Sequence, residues 1–118
     1  MSEATKTVLS IRPHPQAIVA AVVCRHLTHE TTLQLRSDLD AAIASAPSSP
    51  LFLDMSQVEF LPSMAIGMLV STHKALKQSG RKCLLIGIRP LVLESLQITA
   101  LDRFFEIHST IEEGLKHL

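Results

Sequence analysis

The chain has no tryptophan, no tyrosine, only two cysteines, and a formal charge that cancels to zero. Each shortage removes a class of function. Eleven basic residues against eleven acidic ones leave no electrostatic footprint for a phosphate backbone. Without Trp or Tyr the usual base-stacking platforms are missing too, so nucleic-acid binding is not expected. Cys24 and Cys83 each sit inside an apolar, strand-like run. They fit neither a disulfide scaffold nor a CxxC site, and buried free thiols are expected. Long hydrophobic runs are also lacking. "AIVAAVVC", Ala17 to Cys24, falls far short of the roughly 20 residues a helix needs to cross a bilayer. The opening "MSEATKTVLSIRPHP" is polar with two prolines and no apolar stretch, so no signal peptide is expected. A soluble, cytoplasmic chain without membrane insertion fits these absences.

What is present points to a packed core. Of 118 residues, 47% are hydrophobic and 19% charged, a composition for one globular domain over 1–118 rather than for disorder. A chain of that length buries roughly two thirds of its unfolded surface. "TVLSIRP" (Thr7 to Pro13) and "AIVAAVVC" read as two strands around "PHPQ", and so short a connection favours an antiparallel hairpin. "THETTLQLRSDLDAAIAS" places Leu33, Leu35, Leu39, Ala42 and Ile43 at helical spacing, with Thr28 as its cap. "APSSP" breaks that helix.

"LFLDMS" (Leu51 to Ser56) is a short buried strand that Asp54 closes. A second helix is expected from about Ser63 to Ser79, its apolar face carrying Ala65, Ile66, Leu69, Val70 and Leu76, with Gly80 as the stop. "KCLLIGI" is the next strand, and "PLVLESLQI" a helix with proline at its first position. "RFFEI" (Arg103 to Ile107) reads as a last strand and "STIEEGLKHL" as a last helix capped by Ser109. The order β-β-α-β-α-β-α-β-α predicts a mostly parallel α/β sheet with an antiparallel N-terminal edge hairpin, covered by about four helices. Sites in such sheets gather at the carboxyl ends of strands, which here deliver the segments around Thr28 and Ser63.

"LFLDMSQVEFLPSMAIGML" and then "HKALKQSGRKCLLIGIRPLVLESLQITALDRFFEIHSTIEEGL" resemble the STAS family, the anti-sigma factor antagonists of bacterial partner switching. The likeness runs from the first hairpin to the last helix. It is most specific at Asp54 to Ser56, at Phe60, at the Leu-Asp-Arg-Phe-Phe run 101–105 and at the helix 109–115. The resemblance implies a transcription-regulating signalling module that binds a kinase-type anti-sigma factor. Many members carry Asp-Ser-Ser-Gly at this turn, and the partner kinase phosphorylates the second serine. Laid on this chain, those four positions fall on Pro62, Ser63, Met64 and Ala65. An acidic residue often found at the start of the first helix falls on Thr28.

Three of the four positions therefore depart from the pattern, and the departures have physical content. A phosphate in the first turn of a helix lies near exposed N–H groups, where an anion is favoured, and its charge of about −2 would change how the surface meets a partner. Methionine has no hydroxyl, so position 64 has lost the acceptor and offers a flexible apolar side chain instead. Ser63 is the remaining hydroxyl. It is a candidate for a relocated phosphoacceptor, but a helix cap is the preferred reading. Pro62 rigidifies the turn. The implied partner surface is Thr28, His29, Pro62, Ser63, Met64, Ile66 and Gly67. Gly67 either permits close packing or leaves room for a partner.

Other constellations are weaker. Asp54 at a strand end could suggest a receiver phosphoacceptor, but the first strand ends in Arg12 and Pro13 and supplies no acidic pair for a divalent cation. Asp54 is expected to accept backbone hydrogen bonds in its loop. His26, His29 and His73 come with neither an HExxH motif nor a cysteine pair, while a metal site needs three or four converging ligands and a second shell, so solvated surface histidines are expected. No metal or other cofactor is expected, and with no converging acid, base and nucleophile no enzyme either. Other roles open to this family are a scaffold or accessory subunit of a larger assembly, stressosome-like or in lipid transport, and a small-molecule or nucleotide sensor. Further copies of the chain are also admissible partners.

Overall fold

Two strands joined around His14 form the antiparallel start of the sheet: β1 (Leu9–Arg12) and β2 (Ile18–Val22), with Leu9 opposite Val22 and Arg12 opposite Val19. The computed structural model describes residues 7–118; the polar opening before Thr7 lies outside the described residues. From β2 onward every pairing is parallel. β3 (Leu51–Asp54) lies beside β2, β4 (Cys83–Ile86) beside β3, and β5 (Glu106–His108) beside β4. The order across the sheet is β1-β2-β3-β4-β5. Each parallel step is bridged by a helix: α1 (His29–Ser45), α2 (Ser63–Gln78) and α3 (Pro90–Ile98), with α4 (Ile111–Leu115) after β5. The expected element order and hairpin are borne out.

Alternate strand residues point to opposite faces, which divides the core in two. Leu51, Leu53, Cys83 and Leu85 face α1, α2 and α3 and form the larger cluster with Leu35, Leu39, Leu69, Leu76, Val92 and Leu96. Phe52, Leu84 and Ile86 point the other way, with Val19, and Ile111 and Leu115 of α4 pack on them. Close approach there depends on Gly114. A Cβ at that position would lie 3.0 Å from Phe52 Cε2 and 3.1 Å from Leu84 Cδ2.

The ends of the elements differ from the sequence reading in ways the backbone explains. Helix α2 stops as expected at Gly80, whose φ of +73° lets Gly80 N donate to Lys77 O and Arg81 N to Leu76 O. Helix α3 ends in the same motif with an alanine: Ala100 has φ +59°, and Leu101 N donates to Leu96 O. The chain then turns through Leu101 to Phe105, Phe104 N donating to Leu101 O. The last strand therefore begins at Glu106 and not at Arg103. Thr110, not Ser109, caps α4, its hydroxyl accepting from Glu113 N at 3.1 Å. In α1 the buried positions are Thr32, Leu35, Leu39 and Ala42. Leu33, expected on that face, is half-exposed, because one residue turns the helix by about 100°. Of the two thiols expected to be buried, Cys83 is and Cys24 is only half-buried, since β2 ends at Val22 before reaching it.

Candidate functional site

The carboxyl ends of β2 and β3 are neighbours, and the loop from each runs straight into a helix. Residues 23–28 lead to α1 and residues 55–62 to α2. The loops are tied to each other beyond the strands. His26 and Phe60 form one further parallel bridge, and Glu59 N donates to Arg25 O at 2.9 Å. Glu59 adds its side chain, with Oε1 3.2 Å from His26 Nε2 and Oε2 3.8 Å from Arg25 Nε. Such exposed pairs contribute about 0–1 kcal/mol, so the backbone tie matters more. Leu27, Val58 and Leu61 are buried beneath the loops and anchor them to the core. Asp54 has its expected role, Oδ1 accepting from Ser56 N at 2.9 Å.

The two helix starts are built differently. Thr28 caps α1 through a reciprocal box: its hydroxyl accepts from Thr31 N at 3.1 Å while Thr31 Oγ1 accepts from Thr28 N at 2.6 Å. Thr28 is exposed, but its hydroxyl is committed to this box. At α2 the expected cap is corrected. Pro62, with φ −71° and ψ 160°, holds the N-cap position, and no side chain caps the helix. Pro62 O accepts from Ala65 N at 2.9 Å and Ile66 N at 3.1 Å. Ser63 is thus already the first helical residue, and the N–H groups two and three places on, those of Ala65 and Ile66, already donate to the Pro62 carbonyl. Its hydroxyl and the N–H groups of Ser63 and Met64 have no acceptor or donor partner among the described residues.

What this rim presents outward is mixed: the side chains of Arg25 and His26 are 76% and 70% exposed, beside two exposed apolar ones. Met64 is 37% exposed and Phe60 51%. His29 and Ser63 are exposed, Pro62 is half-buried, and Ile66 is half-buried against the core. Gly67 is exposed, and a Cβ there would meet nothing within 4 Å. The chain itself does not need the glycine for packing. Phe60, Arg25, Glu59 and Thr31 were not singled out as rim residues by the sequence. An aromatic that follows neither the strand nor the helix period was the available signal for Phe60.

His73 lies away from this rim, on α2 against Phe104 and Phe105, with ring centroids 4.7 and 5.6 Å apart. His26 pairs with Glu59 instead. Among the described residues no group of three His, Cys, Asp or Glu side chains could hold a metal ion. No described helix is long and apolar enough to cross a membrane. The rim's inventory is exposed apolar side chains, the polar and charged groups of Arg25, His26, His29 and Glu59, one free hydroxyl and an uncapped helix start, a composition suited to contact.

A family model described as the STAS domain matches residues 14–114. An anti-sigma F factor antagonist from Paenibacillus polymyxa is 21% identical over 105 residues, 89% of this chain and 90% of its own. A STAS domain protein from Planctomyces limnophilus superposes with a TM-score of 0.83 at 27% identity, covering 92% of this chain and 96% of its own. The phosphorylated form of the Bacillus cell fate determinant SpoIIAA superposes with a TM-score of 0.69 at 15% identity, covering 92% and 97%.

Proposed function

The chain belongs to the STAS domain family, and on that premise we propose that it is a protein-interaction module of the anti-sigma factor antagonist type and not an enzyme. Its partner is a kinase-type anti-sigma factor or a related regulator. The contact surface is the rim formed by Thr28, His29, Pro62, Ser63, Met64, Ile66 and Gly67, to which Phe60 is added. Binding is constitutive, or controlled elsewhere, because the phosphoacceptor of the family pattern falls on Met64.

The observation that carries this reading is the exposed Met64 in the first turn of α2, beside backbone N–H groups with no partner among the described residues. A relative of the same fold exists in a phosphorylated form. A phosphate at this place would be stabilised by the helix start, yet methionine has no oxygen to receive one. An adaptable apolar side chain at the same place favours contact over chemistry. The open space over Gly67 leaves room for a partner to approach the helix backbone.

Capture from native lysate with wild-type protein and with Met64→Glu tests the reading, with the captured proteins identified and the bait assayed for phosphate. The expected result is an ATP-binding kinase retained by wild type, weakened roughly ten- to hundredfold by Met64→Glu, with the bait unmodified. Stoichiometric phosphate on Ser63 would make this a relocated switch. One complex held equally by both baits would make the chain a scaffold subunit.

A further inference from the structure

At the opposite end of the sheet, a hollow of about 320 Å³ opens between the last turns of α2 and the segment entering β5. His73, Lys77, Lys82, Arg103, Phe104 and Glu106 border it. Most of its charges can be accounted for. Arg81, also on the wall, is committed to the end of α1: Nε donates to Ser49 O at 2.8 Å and Nη2 to Ala46 O at 2.7 Å. Lys82 Nζ donates to the His117 carbonyl and lies 3.9 Å from Glu106. Glu106, the carboxylate of the wall, is 2.9 Å from His108 Nε2 as well.

Lys77 and Arg103 are left over. Both are exposed, and neither has an ion pair among the described residues. Lys77 is in the last turn of α2, where a cation complements the helix dipole. That accounts for its position only in part, because Gly80 N and Arg81 N already satisfy the Lys77 and Leu76 carbonyls. Arg103 lies in a turn, at no helix end. Two cations from separate elements, neither in an ion pair among the described residues, thus border one hollow. His73 registers the same field. Burial, and then the charge of Lys77, hold its imidazole below its ordinary proton affinity, with Glu106 opposing.

We propose that this hollow binds the phosphate group of a small molecule, with Lys77 and Arg103 as its ligands and Phe104 as an apolar wall. A guanidinium offers paired N–H donors in the fork that phosphate oxygens match, and an ammonium adds a movable point charge. The volume is at the lower end of small-ligand cavities, which suits free phosphate or a compact phosphate ester. The site is independent of the partner rim, so either can fail without the other.

His73 supplies the readout. Its imidazole resonance in the full chain is titrated against pH by NMR with inorganic phosphate, with phenyl phosphate, and with chloride at matched ionic strength. Either phosphate should raise the His73 midpoint where chloride does not. A Lys77→Gln, Arg103→Gln variant should weaken the half-saturating concentration at least roughly tenfold. Its baseline midpoint starts higher, so the increment on adding phosphate is what counts. Both replaced side chains are exposed, and an unchanged melting temperature checks that the fold is intact. Tighter binding of phenyl phosphate assigns the source as an ester, and equal binding assigns it as free phosphate. A midpoint unmoved by both phosphates, moved as far by chloride, or moved equally in the variant overturns the site.

Discussion

At the residue scale, two buried side chains carry measurable consequences. Thr32 is 1% exposed inside α1, and its hydroxyl has no hydrogen-bond partner among the described residues. An unpaired buried hydroxyl costs about 1–3 kcal/mol. Thr32→Val keeps the shape and removes the polar atom, so it should raise stability by about 1 kcal/mol, read as a shift in the urea midpoint at constant slope. Cys83 is the second case. Burial pushes its thiol up to about 12 from an ordinary 9.0. In native protein near pH 8, a thiol reagent should label Cys24 and leave Cys83 untouched until the chain unfolds. The same shift sets a pH dependence. Because the folded thiol holds its proton more tightly than the unfolded one, its contribution to stability is complete below about 9 and is lost as pH rises toward about 12. Cys83→Ala should flatten that alkaline slope, and an unchanged slope would remove Cys83 as its cause.

At the scale of elements, helix ends separate what a sequence announces from what it conceals. Gly80 and Thr28 are legible because a left-handed residue favours glycine and a cap favours a short hydroxyl. Ala100 gives no such signal, since it takes the same left-handed position without being glycine. A Cβ in that conformation costs roughly 1–2 kcal/mol. Ala100→Gly should therefore stabilise the protein by about 1 kcal/mol, measured as a higher melting temperature; a lower one would mean that extra freedom in the unfolded chain outweighs the relieved strain. The same concealed turn hid the true start of β5. Phe104 and Phe105 favour a strand by propensity, yet the turn closing α3 claims them first. At the rim, the segment was legible from topology and the side-chain roles were not. Pro62 moved the cap by one place, and that shift alone turned Ser63 from a cap into an exposed hydroxyl.

For the whole molecule, the parallel sheet and its helices were legible because near-continuous apolar strands alternate with helical periods. What periodicity could not disclose is how unevenly the two faces are covered. Three helices lie over one face, while among the described residues the other is covered by the five-residue α4. Gly114→Ala tests that thin cover. The added methyl would press on Phe52 and Leu84 at 3.0 and 3.1 Å, and the overpacking should cost about 1–3 kcal/mol. Amide exchange in α4 and β5 should speed up more than exchange in α1 and α2. Uniform acceleration would indicate that both faces unfold as one unit.

The lone bridge between His26 and Phe60 has a consequence for how quickly and how tightly the rim can meet anything. Two loops that would otherwise wander independently share backbone hydrogen bonding and a buried floor of Leu27, Val58 and Leu61. Little conformational freedom remains to be surrendered on contact, so that part of the association penalty is met during folding. Differences in affinity among rim variants should then lie in how long complexes last and scarcely in how fast they form.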